Sequence, residues 1–294
     1  MASRSTPIPA VATATDKDMK RLLDPKPHIG FKAIGTIVVL VLVYLWSIRG
    51  TDASPAELVR GWPYIWRFLS RLFPIQWQTT DWELGIGPWH WGTWTTTEVL
   101  PALFETIQMA IIGSTLSIII SLPFGLLAAR NISPHWTVYQ TMRFILNTIR
   151  AVPEIIIALI FVAAVGLGPF AGVLALAIGS VGTTSKLYAE AIEAIDPTQV
   201  QAITATGANR LQTFMYAVVP QALPLVASYS LLLFESNVRS ASILGLVGAG
   251  GVGLILNTYM ALFKYHELMG ALLLLIIAVT IIDRVSDYLR RRII

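Results

Sequence analysis

Four ionisable side chains lie inside or at the edge of otherwise apolar segments, in two pairs of opposite charge. Arg150 precedes Glu154 by four positions, and Glu235 precedes Arg239 by the same interval. Residues four apart are neighbours on a helix surface, so each pair can neutralise itself along its own helix. A charge at membrane depth is costly and otherwise faces a partner or an aqueous pathway. The two pairs therefore favour either a structural role or electrostatic attraction of a passing anion, and both interpretations stay open.

The other residues give little indication of a catalytic site, a metal site or a cofactor site. The chain has no cysteine, which excludes disulfides, thiol catalysis and cysteine zinc sites. Its four histidines are scattered singly, without the spacing of metal ligands. Gly248, Gly250 and Gly253 match the dinucleotide fingerprint G-x-G-x-x-G, but they follow a predicted membrane helix where that motif needs a strand. We therefore expect no cofactor or metal in this chain and no enzymatic activity of its own.

The composition indicates an integral membrane protein. Of the 294 residues 55% are hydrophobic and 13% are charged, whereas soluble domains carry about 25% charged residues. A helix that crosses a membrane needs about 20 mainly apolar residues. The polar lead before the first apolar stretch is longer than the basic region of a cleavable signal peptide, so we expect a cytoplasmic tail there. Six membrane spans are predicted, near residues 31–48, 104–128, 144–165, 169–189, 222–243 and 267–285.

The basic residues predict the orientation of these spans. Fourteen lysines and arginines fall on the side that carries both termini, and five fall on the other side. Basic residues collect on the cytoplasmic side of membrane proteins, so both termini are expected in the cytosol. The chain then divides into a cytoplasmic tail (1–32), a first span with an external aromatic-rich loop (33–103) and a transmembrane domain (104–290) with a cytosolic loop at 190–220.

Two features near the external side have more than one interpretation. Residues 55–73 mix aromatic residues with arginines at roughly helical spacing, which favours a helix lying in the membrane interface. A periplasmic helix packed without lipid contact is the alternative. Glu105, at the start of the second span, is interpreted as a surface-level carboxylate, with a role at a gate as the alternative.

The segment 190–220 is too polar to cross a membrane and too regular to be a simple linker. Asp196 suits an N-cap, and Gln199 would complete a capping box with it. Gly207 can end this first helix with a positive φ. The pattern predicts two short cytosolic helices that are separated at this glycine and joined to the fifth span. The second helix would carry an apolar stripe of Leu211, Phe214, Met215 and Val218.

This loop resembles the EAA loop of binding-protein-dependent ABC importer permeases. The stretch 201–203, Gly207 and the stretch 217–220 keep the spacing of that family pattern throughout. The sequence departs from it at Gln201, which replaces a glutamate, and at Ile203, which replaces an alanine. In the family the loop forms a coupling helix that docks in a groove of the ATPase subunit. The resemblance implies ATPase-coupling roles for Gln201, Ala202, Ile203, Thr206, Gly207, Ala208 and Pro220.

Further motifs are similar to those of phosphonate-importer permeases over about residues 102–290. They include Arg150-Ala-Val-Pro-Glu154, Leu187-Tyr-Ala-Glu190 and Glu235-Ser-Asn237-Val-Arg239-Ser240. The resemblance implies an all-α integral membrane protein with six transmembrane helices and the type I ABC importer permease fold. It implies that a homodimer forms a path for phosphonate or for the related phosphite and hypophosphite. The path or gate residues would be Arg150, Glu154, Glu235, Asn237, Arg239 and Ser240.

The same resemblance implies the partners. A cytosolic ABC ATPase dimer would bind ATP and Mg, because the segment 179–186 of this chain lacks the Gly-Lys-Ser/Thr of a phosphate-binding loop. A periplasmic or lipid-anchored phosphonate-binding protein would deliver the solute to two copies of this chain. These copies would lie in the bacterial inner membrane and contact its lipids, and no nucleic acid is expected as a partner. An ion-gradient-driven secondary transporter is the alternative, and it would be expected to show internal repeats, of which none is found. An intramembrane enzyme would need a catalytic constellation that the sequence lacks.

Overall fold

The computed structural model of the protein describes residues 31–51, 55–86 and 89–293. It divides between Trp66 and Arg67 into two compact units, and each is described by itself. The predicted cytoplasmic tail of residues 1–32 lies almost entirely outside the described residues.

The first unit contains helix α1 (Phe31–Thr51) and most of helix α2 (Pro55–Arg71). Helix α1 is long and apolar enough to cross a membrane, as predicted for the first span. Helix α2 begins at a proline, which suits the first turn of a helix, and its spacing puts arginines and large apolar residues on opposite sides. The predicted helix over residues 55–73 is therefore confirmed, and Trp62 and Trp66 are exposed on it.

The second unit contains a β-hairpin that the sequence analysis did not predict. Strand β1 (Thr79–Ile86) pairs antiparallel with strand β2 (Trp89–Thr97), and Thr79 lies opposite Thr97. Threonine and tryptophan are common in strands, so the composition carried a signal for this hairpin. The prediction missed it because tryptophans also fit a loop at the membrane interface.

The rest of the second unit is helical. A single π-helical turn (Phe214–Val218) joins helix α8 (Arg210–Thr213) to helix α9 (Val219–Leu244), so the two helices follow one another without a gap. A short 3₁₀ turn (Gly245–Val247) follows the end of α9. In chain order the helices are α3 (Val99–Ala128), α4 (Trp136–Ala151), α5 (Glu154–Val165), α6 (Pro169–Glu193), α7 (Pro197–Ala205), α8 (Arg210–Thr213), α9 (Val219–Leu244), α10 (Gly251–Ala261) and α11 (Tyr265–Ile293).

Small residues allow the two central helices, α3 and α6, to pack closely. A Cβ atom on Gly113 would lie 2.8 Å from the Cβ of Leu176, and one on Gly125 would lie 2.9 Å from the Cβ of Tyr188. Membrane helices associate through such close contacts because apolar side chains gain little by leaving lipid. Helix α6 is accordingly the most buried of the long apolar helices.

The six predicted spans correspond to five long apolar helices and one bent pair. Helices α1, α3, α6 and α11 and the run Arg210–Val247 are each long and apolar enough to cross a membrane. Helices α4 and α5 make a sixth span only if the pair, bent by 81°, is counted as one. The prediction of one continuous helix at 144–165 is therefore wrong. The two short helices predicted on either side of Gly207 are confirmed, and the second, α8, is joined directly to α9 as predicted. The fifth span therefore begins earlier than predicted, at Arg210.

A network of ion pairs holds the last helix, α11, against α9. Nη1 of Arg239 lies 3.5 Å from Glu235 on its own helix and 3.1 Å from Asp283 on α11. Nη2 of Arg290 lies 3.1 Å from the other carboxylate oxygen of Glu235. Arg290 also contacts Asp287, at 3.3 Å. The predicted pairing of Glu235 with Arg239 is thus confirmed, and it is extended by three residues of α11.

We predict that Arg290→Gln lowers the free energy of unfolding by about 1–3 kcal/mol, because Glu235 then keeps only one of its two cations. The side chain of Glu235 is 15% exposed, so solvent screens its charge poorly. Chemical denaturation of the purified protein in mild detergent measures this difference. The exposed neighbour gives a matched control, Arg291→Gln, with an expected change within ~0.5 kcal/mol.

The single variant Glu235→Gln and the double variant Glu235→Gln/Arg290→Gln complete the thermodynamic cycle. The double variant removes both charges together, so part of the stability lost in Arg290→Gln should return. If Arg290→Gln and Arg291→Gln prove equally stable, the network does not stabilise the packing of α11.

Candidate functional site

Helices α4 and α5 meet at a sharp bend that separates Arg150 from Glu154. Helix α4 ends at Ala151, the next two residues are extended, and Glu154 begins α5 after an 81° turn. Proline disfavours helix at the residue before it and cannot donate the hydrogen bond that would continue the helix. The predicted pairing of Arg150 with Glu154 is therefore wrong, and no ion pair joins them in the described part of the chain.

Two glycines of α6 accommodate this bend. A Cβ atom on Gly182 would lie 2.8 Å from the backbone nitrogen of Arg150 and 2.8 Å from the carbonyl oxygen of Leu146. A Cβ atom on Gly179 would lie 2.9 Å from Cγ of Glu154. The backbone of the bend therefore rests directly on α6, and the stem of Glu154 is held against the same helix. This close packing explains why positions 179 and 182 are glycine. The segment 179–186 that contains them has no phosphate-binding motif.

Glu154 lines two cavities beside α9. One, of about 270 Å³, lies between the start of α5 and the end of α9 and also contacts Ser240. The other, of about 160 Å³, lies between α5, α6 and α9. The structure thus brings three of the predicted path residues to these cavities, since Glu154 borders both, Ser240 the larger and Asn237 the smaller. Besides Glu154, the polar residues that line the smaller cavity are Ser180, Thr183, Thr184, Tyr229, Ser236 and Asn237.

Asn237 is buried where α3, α6 and α9 meet. Its Nδ2 donates to Oγ of Ser114 at 2.9 Å, and its Oδ1 accepts from Oγ of Ser180 at the same distance. The residue is 1% exposed, and both ends of its amide are used in joining helices. Such side chains hold membrane helices together. Asn237 therefore has a structural explanation, whereas Arg239, with 46% of its side chain exposed, reaches the surface of the protomer.

The other charged residues that were predicted to line the path have different surroundings in the structure. Glu235 and Arg239 are bound into the network with α11, so the charge of each is balanced within the chain. Arg150 is exposed at the end of α4. The charges at the bend are therefore available to solutes or partners, and those of α9 are largely compensated.

The segment between α6 and α9 is structured by local caps. Asp196 accepts a hydrogen bond from the second residue of α7 and is its predicted N-cap. Gln199 is not the capping-box partner, since the backbone nitrogen of Asp196 donates at 2.9 Å to Oε1 of Gln221 on α9. This bond ties the start of α7 to α9. A capping box forms instead between Asn209 and Gln212, at the start of α8.

Gly207 has a φ of +86°, as predicted for the residue that ends α7. A Cβ atom there would meet nothing within 4 Å, so the glycine serves the backbone conformation and not close packing. The other predicted coupling residues lie on both sides of it. Gln201, Ala202, Thr206 and Pro220 are exposed, and Ile203 and Ala208 are half-buried.

The predicted apolar stripe after Gly207 is split between two faces. Phe214 and Val218 pack inward, whereas Leu211 and Met215 are 70% and 54% exposed. The π-helical turn changes the angle between successive residues, so a stripe spaced for an α-helix does not stay on one side. Together with Tyr216, which is 72% exposed, these side chains give the segment an outward apolar surface.

Two features of the site were missed or misjudged from sequence. Asp283, Asp287 and Arg290 are spaced four and three residues apart, which places them on one face of α11 and was a usable signal. Glu105 is half-buried and accepts a hydrogen bond from the backbone nitrogen of Gly251 at 3.3 Å. It satisfies a free N–H at the start of α10, a structural role that neither the surface-level interpretation nor the gate interpretation included. The glycine-rich run before α10 follows a helix and a 3₁₀ turn, which supports rejecting the dinucleotide motif.

Comparison with known proteins gives the family. Residues 121–294 match the family described as binding-protein-dependent transport system inner membrane component. The chain is 34% identical over 264 residues to the phosphite transport system permease protein PtxC of Stutzerimonas stutzeri, covering 89% of this chain and 90% of that one. It is 42% identical over 197 residues to the phosphate-import permease protein PhnE of Mycolicibacterium smegmatis, covering 67% of this chain but only 37% of the relative.

A solved structure supports the same fold. The structure described as inward facing conformations of the MetNI methionine ABC transporter superimposes with a TM-score of 0.60 at 26% identity. The superposition covers 66% of this chain and 95% of that one. The predicted type I ABC importer permease fold, all-α apart from the hairpin in the described residues, is therefore confirmed. The chain belongs to the binding-protein-dependent inner-membrane transport components, which are multi-pass permeases and not enzymes.

Proposed function

We propose that the chain is the permease subunit of an ATP-driven importer for a phosphorus oxyanion, phosphonate or phosphite, with hypophosphite as a related candidate. The observation that carries this proposal is the 34% identity to a phosphite permease over about nine-tenths of both chains. A second relative, the putative cryptic phosphonate transport system permease protein PhnE2 of Escherichia coli (strain K12), is 47% identical over 121 residues, covering 41% of this chain and 99% of that one. The named substrates share a tetrahedral phosphorus with anionic oxygens.

The working assembly is a homodimer with separate partners. The likeness to the MetNI permease, which covers nearly all of that chain, supports two copies around a central path. ATP and Mg are bound by a cytosolic ATPase dimer, since the chain has no nucleotide-binding motif of its own. A periplasmic or lipid-anchored binding protein presents the oxyanion. The excess of basic residues near the termini supports a cytosolic location for both ends.

The segment from α7 to the π turn transmits the ATPase cycle to the membrane. Its outward apolar side chains, Leu211, Met215 and Tyr216, suit a groove on a partner protein. Helix α8 runs into α9 without a linker, so a displacement at Arg210 moves the helix that carries Glu235, Asn237 and Arg239. Gly207 lets α7 take its own direction beside this continuous helix.

Reconstitution tests the proposed function. The permease, its ATPase and its binding protein are placed in proteoliposomes, and uptake of phosphite, methylphosphonate, phosphate and methionine is measured with and without ATP. We expect ATP-dependent uptake of phosphite or methylphosphonate and none of methionine. Uptake that persists without ATP, or that is confined to methionine, would contradict the proposal. Uptake of phosphate alone would contradict the assignment to phosphonate or phosphite and would favour the substrate named for the mycobacterial relative.

The conformation of Gly207 gives a second prediction. A β-branched residue strongly disfavours positive φ, so Gly207→Val should cost roughly 1–2 kcal/mol locally and disturb the angle between α7 and α8. We expect the variant complex to assemble but to lose most of the ATP hydrolysis that the loaded binding protein stimulates. Asparagine tolerates positive φ, so Gly207→Asn is the matched control and should keep most of that stimulation. Normal stimulation in Gly207→Val would remove this residue from the coupling path.

A further inference from the structure

The carboxylate of Glu154 has no hydrogen-bonding or ionic partner within the described residues of the chain. It begins α5, whose 12 residues extend about 18 Å to the turn before α6. If that turn lies at the membrane surface and α5 runs along the membrane normal, Glu154 lies near the middle of the hydrocarbon layer, which is about 30 Å thick. An ionisable side chain at this depth that is not neutralised within the protein is expected to serve a solute pathway.

The position of this carboxylate is fixed by the packing of its stem. Cγ of Glu154 lies against the backbone of α6 at Gly179, where a Cβ atom would be only 2.9 Å away. The carboxylate therefore points from a rigid contact into the space that borders both cavities. A group held in this way can act on a passing solute without first being ordered.

The walls around Glu154 supply neutral hydrogen-bonding groups and few free charges. Ser240 borders the larger cavity, and hydroxyl groups of α6 and α9 border the smaller one. On α9, Glu235 and Arg239 are paired with residues of α11. Arg143 on α4 and Glu193 on α6 are paired with each other at 2.9 Å. The remaining charged or titratable side chains on the adjoining elements are Tyr139 and Arg150 on α4, Tyr229 on α9, and Lys186, Tyr188 and Glu190 on α6.

Two of those side chains have partners that turn them away from the cavities. Lys186 donates to Oδ1 of Asn147 on α4, and the hydroxyl of Tyr188 bonds to that of Ser230 at 2.6 Å. Glu190 is exposed near the end of α6. A solute beside Glu154 therefore meets hydroxyl groups that both donate and accept, and one carboxylate that only accepts.

An ionised carboxylate distinguishes the protonation states of a phosphorus oxyanion. The carboxylate has no proton to donate, and a fully ionised dianion has none either. No hydrogen bond can therefore form between them, and their negative charges repel each other. The singly protonated form keeps one P–OH group, which can donate a short, strong hydrogen bond to the carboxylate, and it carries half the charge. We propose that Glu154 makes the pathway selective for this singly charged, protonated form of the substrate, an inference that rests on the proposed function.

The test compares the pH dependence of phosphite uptake by wild type and Glu154→Gln in the reconstituted transporter. The second proton of a phosphate monoester dissociates near pH ~6, and phosphite has a comparable second ionisation, so the protonated form is depleted between pH 6 and pH 8. The same ATPase and binding protein serve both variants, so their own pH dependence cancels. If Glu154→Gln accepts both forms equally, its uptake relative to wild type should rise about fiftyfold between pH 6 and pH 8, because the protonated fraction falls from one half to one hundredth.

Two further variants make the result specific. Glu154→Asp keeps the carboxylate and should follow the wild-type profile, and Glu190→Gln removes an exposed carboxylate and should also follow it. Parallel profiles for Glu154→Gln and wild type would overturn the proposal. Loss of uptake at both pH values in an assembled Glu154→Gln complex with normal ATP hydrolysis would overturn it too, because the residue would then be required for both forms. Absence of phosphite uptake by the wild type would instead contradict the proposed function.

Discussion

The contact between the α4–α5 bend and α6 is the constraint on which the rest of the site depends. A helix that crossed the membrane from Trp136 to Val165 without interruption would keep Arg150 and Glu154 one turn apart and let them neutralise each other. Pro153 prevents this, and Gly179 and Gly182 provide the space in which the broken chain rests on α6. The bend therefore separates a cation from an anion within a predicted membrane span and holds the anion in place.

The neighbouring helices are joined in ways that suit concerted movement. Helix α9 is continuous with α8 at one end, is tied to α3 and α6 through Asn237, and is linked to α11 through Glu235 and Arg239. Polar contacts of this kind are directional, so they favour discrete arrangements of the helices over gradual sliding. A displacement that begins in the loop before α9 would reach the cavities beside Glu154 through these contacts.

Much of the fold could be predicted from the sequence, because the signals for membrane helices are local. Apolar length located the spans, and Asp196 and Gly207 marked the boundaries of α7. The errors arose where a distant residue or a backbone irregularity decides the outcome. Gln221 competes with Gln199 for the cap at Asp196, and the π turn before α9 redirects the apolar stripe. The β-hairpin depends on pairing between two strands, for which a single segment gives only a weak signal.

The candidate site was predictable in part for the same reason. Its charged residues can be recognised from the sequence because they lie in apolar segments. The partners of these residues cannot be recognised in this way. Spacing predicted the pair Glu235–Arg239 correctly and the pair Arg150–Glu154 wrongly, and Pro153 between the latter two was the signal that distinguished them. The contacts of α9 with Asp283 and Arg290 required the arrangement of two helices that are distant in sequence.

Chemical labelling can show whether Glu154 faces an aqueous pathway within the membrane. The chain contains no cysteine, so Glu154→Cys introduces a single reactive thiol into an otherwise unreactive protein. Ile160→Cys, on the outward apolar side of the same helix, is the matched control. We expect a charged, water-soluble thiol reagent to modify position 154 in the assembled transporter and phosphite to slow the modification. Position 160 should stay unmodified. Equal lack of reaction at positions 154 and 160, in the resting state and during ATP hydrolysis, would contradict such a pathway at Glu154.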